Sequence, residues 1–250
     1  PFLLDDSSNI NQAVNDDRSV SGLIRSTFSN DSGPTGRPVS AFTFAVTGYA
    51  YGLDPWGFKY QNLMLHLLIA ASLVFLGVGI LKNLGKQYSS RFIWGVSILA
   101  AALWMLHPLL VSTTLYAVQR MTQLSMLFTV LALLSYVYFR VRLTRVPVLA
   151  GLALLFFVSL FSLLSVLSKE NGALIPLYLL LLEVIVFRFR TGLRLTDATS
   201  EPIQYVRGFE RVMLVVIWAV LIILPLGLGT VYFTLNLNEY LGCFGHREFT

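Results

Sequence analysis

The residues in this chain best suited to chemistry are few and far apart. Asp5 and Asp6 are adjacent carboxylates near the start, with a second pair, Asp16 and Asp17, further on. A carboxylate held against a hydroxyl takes its proton as the oxygen attacks, worth roughly 10²–10⁴-fold in rate. Its neighbour would position the acceptor or bind a metal. Two carboxylates alone make a poor metal site, so a divalent ion at Asp5 and Asp6 is the less favoured use, and no metal or other cofactor is expected. Arg37, Arg120 and Lys169 are cations fit to bind an anionic leaving group such as a phosphate, and Arg suits bidentate contact. His66, His107, Gln119, Gln123 and Glu170 could hydrogen-bond or position a polar substrate. The single cysteine, Cys243, excludes an internal disulfide, and three dispersed histidines show no zinc spacing. Each residue also has a plainer role. Acids in a polar loop are usually solvated. The Lys169-Glu170 and Arg120 charges could snorkel to an interface. His66 could be a hydrogen-bonded core histidine, and His107-Pro108 could simply end a helix.

What must position these groups is a set of membrane-crossing helices. Only 12% of residues are charged, against about 25% in a soluble domain, and mean hydropathy is +0.70. Residues 61–81, 92–119, 121–139, 146–168 and 212–238 carry no Asp, Glu, Lys or Arg, and 171–187 carries only Glu183. A spanning helix needs roughly 20 apolar residues. Six spans are therefore expected, at 60–82, 91–107, 119–139, 147–168, 171–188 and 211–233. Ahead of them, residues 1–58 form a long polar loop. Val20, Leu23, Ile24 and Phe28 recur at helical spacing, which predicts an amphipathic surface helix over 18–29. Residues 39–51 predict a second interfacial helix, too short to span. Residues 234–250 read as the start of another loop. The chain opens inside a loop, so a further span is expected before Pro1.

Orientation follows from the basic residues, which favour the cytoplasmic side. One set of connections holds eleven of them, at 82, 86, 91, 140, 142, 145, 188, 190, 194, 207 and 211; the opposite set holds seven over much more sequence. The second set is thus expected outside, in a periplasm or lumen. That side collects Asp5, Asp6, Arg37, His107, Arg120, Lys169 and Glu170, with His66 two turns into its span. Ionisable groups bordering spans are costly and are functional candidates by default. Glu183 falls toward the other side and is expected to pair with Arg188 or Arg190. The net charge of +5 sits at span ends, which argues against a nucleic-acid partner.

Several ordered segments carry a family likeness: FLLDDSSNI at 2–10, RPVSAFTF at 37–44, GLDPWGFKYQNLMLHLL at 52–68, LHPLLVSTTLYAVQRMTQLSMLF at 106–128, SKENGALIPLYLLLLE at 168–183 and GHREFT at 245–250. In these the chain resembles the membrane domain of GT-C superfamily glycosyltransferases, above all the transmembrane and tetratricopeptide-repeat O-mannosyltransferases and their bacterial relatives. The resemblance implies an all-α polytopic membrane protein: a GT-C-type helix bundle over 59–233 behind a long outer loop, 1–58, with interfacial helices. It implies transfer of a sugar from a polyprenyl-phosphate-linked donor to an acceptor hydroxyl, on a protein or glycan, at the outer or lumenal face. The enzyme would sit among the lipids of a bacterial inner membrane or the ER. Asp5 and Asp6 would carry acid–base work by inverting displacement, Arg120, Lys169 and Arg37 would hold the donor phosphate, and His66, His107, Gln119, Gln123 and Glu170 would position sugar or acceptor. The chain departs from the pattern after His107-Pro108, where relatives often carry a His or Glu and this chain has Leu109, Leu110 and Val111. Mannose is therefore not implied. A flippase for polyprenyl-linked sugars would use the same cations without an Asp base, and a scaffold subunit would need neither.

Overall fold

The computed structural model describes Phe2, Asp6, Ile10, residues 20–28, 36–84, 88–190 and 204–223, and Gly227, Thr230 and Thr234. The regular structure of these residues is helical throughout. α1 spans Val20–Phe28 and α2 spans Pro38–Tyr51. Both match the amphipathic and short apolar segments expected ahead of the spans. Arg37 precedes α2 in the left-handed region (φ 48°), and Pro38 starts the helix where its missing N–H costs nothing. A turn over Gly52–Asp54 follows. The Asp54 side chain then accepts the Trp56 N–H and caps α3, Pro55–Asn83.

α4, Ser90–Met105, runs back and is capped by Ser89. A 3-10 turn at Pro108–Leu110 and the short α5, Val111–Leu115, follow it. α6 runs from Arg120 to Arg142 behind a 3-10 turn at Ala117–Gln119. α7, Pro147–Ser168, returns antiparallel to it. After the single extended residue Lys169, a 3-10 turn, Glu170–Leu174, leads into α8, Ile175–Leu182, which closes in a π turn at Glu183–Phe187. α9, Gln204–Trp218, continues as a π turn to Ile223.

Among the described residues, four helical segments are long and apolar enough to cross a membrane, and five if the bent pair of α4 and α5 counts as one span. Two expected spans therefore change. Residues 91–107 do not stand alone, because α4 stops at Met105 and needs α5 to complete the length. The span placed at 211–233 is not among these segments: a helix covers Gln204–Trp218, and the second half of the expected span lies largely outside the described residues. The segment at 234–250 lies outside them except for Thr234.

α6 is the central helix: half of its apolar window is buried, against 28–33% for the other three spans. Val130, Tyr136 and Val137 of α6 meet Leu76 of α3, Leu154 and Val158 of α7, Ile175 and Leu179 of the α8 segment, and Leu214 and Ile217 of α9. The opposite flanks keep Phe75, Leu149, Leu152, Phe156, Leu177 and Leu181 exposed, as helices facing lipid should. The α7–α8 turn is tight enough to demand glycine. A Cβ on Gly172 would lie 2.5 Å from Val166 N and 2.6 Å from Ser165 C.

At one end of the bundle Arg140 is fully buried. Its Nη2 and Nε donate to Glu183 at 2.8 and 3.0 Å, its Nη1 to Glu210 at 3.3 Å, and Tyr136 OH donates to Glu183 at 2.5 Å. The expected partners of Glu183 are thus corrected. Arg190 offers only its carbonyl, to Arg140 Nη2 at 2.8 Å, and the charge comes from the last turns of α6, which pack directly on α8. Breaking a buried pair by removing one partner costs about 3–5 kcal/mol. Glu183→Ala is accordingly expected to lower the thermal midpoint of the purified protein sharply, with α9 the first element to lose protection in amide exchange.

Candidate functional site

The other end of the bundle gathers most of the polar residues. The starts of α2, α3, α6 and α8 meet there with the end of α7. Arg37 lies against Glu170 in a bidentate pair: Nη2 donates to Oε2 at 2.9 Å and Nε to Oε1 at 3.1 Å. The guanidinium also points Nη1 at Met121 Sδ, 3.4 Å away. The pair keeps partial contact with solvent, the side chains being 22% and 35% exposed. Ser40 Oγ donates to Ser168 O at 2.9 Å, so α2 is tied to the same turn twice.

Lys169, at the turn itself, donates from Nζ to Thr122 Oγ1 at 2.8 Å, and Thr122 Oγ1 donates to Gln119 Oε1 at 2.9 Å. Partial burial, and then the nearby Arg37 charge, push the Lys169 ammonium below the usual lysine range, while Glu170 pulls it back up. Two cations and one carboxylate thus share a few ångströms at the mouth of the bundle, with a net positive field.

Arg120 sits deeper, 1% exposed. Nε donates to Asn62 Oδ1 at 3.0 Å, Nη1 to Thr47 Oγ1 at 2.6 Å and Thr43 O at 3.2 Å, and Nη2 to Phe58 O at 2.9 Å. Its carbon centre lies 5.0 and 5.3 Å from the Phe44 and Phe58 rings. Four of the five N–H donors therefore go to protein acceptors. The guanidinium locks α2 and α3 onto the start of α6. It also borders a cleft of about 290 Å³, whose other walls are Thr43, Gln61, Met64, Leu65, Leu68 and Leu124.

Asp6 is buried beside this lock. Its Oδ1 accepts the Val118 N–H at 2.8 Å, which places a negative charge at the N-terminal end of α6, where it is favoured. Phe2 packs edge-on against Phe58 at 5.6 Å, beside the same lock. Asp5, Asp16 and Asp17 lie outside the described residues.

The remaining candidates divide. His66, one turn beyond Asn62, donates from Nε2 to Met105 O at 2.9 Å and stacks on Trp104. His107 is exposed and apart, its Nδ1 accepting the Leu109 N–H at 3.3 Å. Gln123 is buried, and its side-chain amide has no partner among the described residues. Asn62, Thr47 and Thr122 escaped sequence reasoning. The available signal was Asn62 at i−4 from His66, which puts two polar side chains on one face of a span. Among the described residues no three His, Cys, Asp or Glu side chains form a group that could hold a metal ion.

No protein-family model, curated protein or solved structure matches this chain. Among the described residues, fold and site together define a helical bundle, built of helices suited to crossing a membrane, with a cluster of cations at one end.

Two outcomes follow from this geometry. Lysine cannot reach four acceptors from one planar fork, so Arg120→Lys is expected to lower the thermal midpoint and loosen α2, read by proteolysis between α1 and α3. Lys169 is expected to be acylated by an amine-reactive reagent at lower pH than an ordinary lysine. Arg37→Gln should move that profile back up, because it removes the repelling charge and frees Glu170; intact-mass peptide mapping reads both.

Proposed function

We propose that this chain is a membrane glycosyltransferase of the GT-C type, moving a sugar from a polyprenyl phosphate to an acceptor hydroxyl at the Lys169 end of the bundle. The observation that carries the reading is the convergence on one short stretch, 117–122: Asp6 binds Val118 N–H, Arg37 reaches Met121, and Lys169 holds Thr122. Asp6 and two cations are thereby held on one short stretch of chain, and Arg120 and Leu124 of the same helix reach the wall of a largely apolar cleft.

Lys169 is the leading donor-phosphate ligand, since it spends one of three N–H donors on Thr122 and stands at the mouth. Arg37 assists and is oriented by Glu170. Arg120 serves the site mainly by fixing α2, α3 and the turn before α6. Asp6 is enclosed and its Oδ1 is committed to the backbone, so it anchors the first segment. That leaves its neighbour Asp5 as the base. In the reaction the Asp5 carboxylate takes the acceptor hydroxyl proton and the hydroxyl oxygen attacks the anomeric carbon. The bond from that carbon to the phosphate oxygen breaks with its electron pair on the phosphate. Polyprenyl phosphate leaves toward Lys169, and the anomeric centre inverts. His66 supports the start of the bundle through Trp104 and Met105, Gln119 accepts from the Thr122 hydroxyl beside Lys169, and Gln123 is enclosed behind them. The pocket would face the periplasm of a bacterial inner membrane or the ER lumen.

The test measures transfer from a labelled polyprenyl-phosphate sugar by the purified full-length protein. Asp5→Asn is expected to reduce transfer about 10²–10⁴-fold with the fold unchanged, whereas Asp6→Asn loses stability along with transfer. Lys169→Gln should raise KM for the donor more than it lowers kcat. Full transfer by both Asp variants sinks the catalytic reading. One observation favours a flippase instead, namely the break between α4 and α5, since discontinuous helices build transporter sites. Movement of labelled lipid across vesicles, unimpaired in both Asp variants, would support that alternative.

A further inference from the structure

α4 is too short for the job its composition gives it. Its 16 residues cover about 24 Å, against a hydrocarbon core about 30 Å thick. The chain then bends by 56° and continues helically from Pro108 to Leu115. That second arm, about 12 Å long, adds roughly 7 Å along the α4 axis, which completes the crossing. We infer that residues 106–115 are the lipid-embedded arm of one broken span begun by α4, and not an aqueous loop, with bilayer hydrocarbon covering Leu106, Leu109, Val111 and Leu115.

Three observations carry this. First, the exposed flank is continuous. Leu99 and Leu103 of α4 are 60% and 65% exposed, and Leu106 and Leu109 continue the same apolar surface at 74% and 78%. Residues 92–119 carry no charge. Second, the Ser112 and Thr114 hydroxyls and one ring nitrogen of His107 bond within the arm itself. Ser112 Oγ donates to Leu109 O at 3.1 Å, Thr114 Oγ1 donates to Val111 O at 2.9 Å, and His107 Nδ1 accepts the Leu109 N–H. A surface meant for water has no need to turn its hydroxyls inward. Third, backbone groups released at the two bends are taken up by buried side chains of α3. At the first bend His66 Nε2–H binds Met105 O at 2.9 Å; a carbonyl can only accept, so Nε2 carries the hydrogen. At the second, Asn62 Nδ2 donates to Tyr116 O at 2.8 Å. A helix broken at membrane depth requires this, because each unsatisfied group in hydrocarbon costs several kcal/mol. It also explains why two polar residues, Asn62 and His66, occupy successive turns of a spanning helix. The inference stands apart from the proposed activity, since it concerns depth and not chemistry.

The test uses the full chain carrying Cys243→Ser, with a nitroxide attached at Leu109→Cys or Val111→Cys, in phosphatidylcholine vesicles. Leu103→Cys on the α4 flank and Asn171→Cys in the α7–α8 turn serve as lipid and water references. Collision with oxygen, which concentrates in hydrocarbon, is compared with collision with a water-soluble nickel chelate. At Leu109→Cys the oxygen-to-nickel ratio is expected to rise several-fold over Asn171→Cys and to match Leu103→Cys, with Val111→Cys following. A ratio at Leu109→Cys no higher than at Asn171→Cys overturns the inference, whatever Val111→Cys shows.

Discussion

A guanidinium withdrawn from water must find acceptors for its N–H groups, and at Arg120 that requirement organises one whole end of the protein. The acceptors are neutral: two carbonyls, a hydroxyl and an amide oxygen, drawn from α2 and α3. Two phenyl rings cover the ion. None of these groups could be supplied by α6 itself, so the turn before α6 is stable only with α2 and α3 in place. Asp6, Met121 and Thr122 all depend on that turn. A charge buried among dipoles thus sets the position of the partly exposed charges around it.

The opposite end meets a similar demand differently. Arg140 is met by two carboxylates and the Arg190 carbonyl, and the Tyr136 hydroxyl donates to Glu183 beside it. The side chains of Tyr136, Arg140, Glu183 and Glu210 are sealed from solvent, which suits a clasp between α6, α8 and α9. At the Lys169 end the Arg37–Glu170 pair stays partly open and the Lys169 charge is crowded by Arg37. Exposure and unspent donors, more than charge itself, separate the end that could meet a substrate from the end that holds the bundle together.

The spans were legible because hydrocarbon imposes length and composition on a sequence at once. α3, α6, α7 and the α8 segment therefore appear where runs of uncharged residues lie. The helices at 20–28 and 38–51 were legible from periodicity and length. The end of α4 near His107-Pro108 was legible too, but its continuation through a bend into α5 was not, since that bend depends on His66 and Asn62 standing ready on α3. The pairing of Glu183 was misjudged for a like reason: Arg188 and Arg190 are near in sequence, but the π turn and the left-handed Arg188 and Phe189 end the helix, while Arg140 faces Glu183 across the α6–α8 contact.

The sequence by itself determined that the chain is a set of apolar helices with its charges confined to their ends, because helix length and hydropathy are local properties. It also marked Arg37, Arg120, Lys169 and Glu170 as unusual, since charge beside a span is costly wherever it occurs. Only tertiary structure decided that Arg120 is a buried lock, that Lys169 is partly exposed at the mouth of the bundle, and that Asp6 anchors to Val118. Those roles turn on which acceptors lie within about 3 Å, and such neighbours come from residues tens of positions away along the chain.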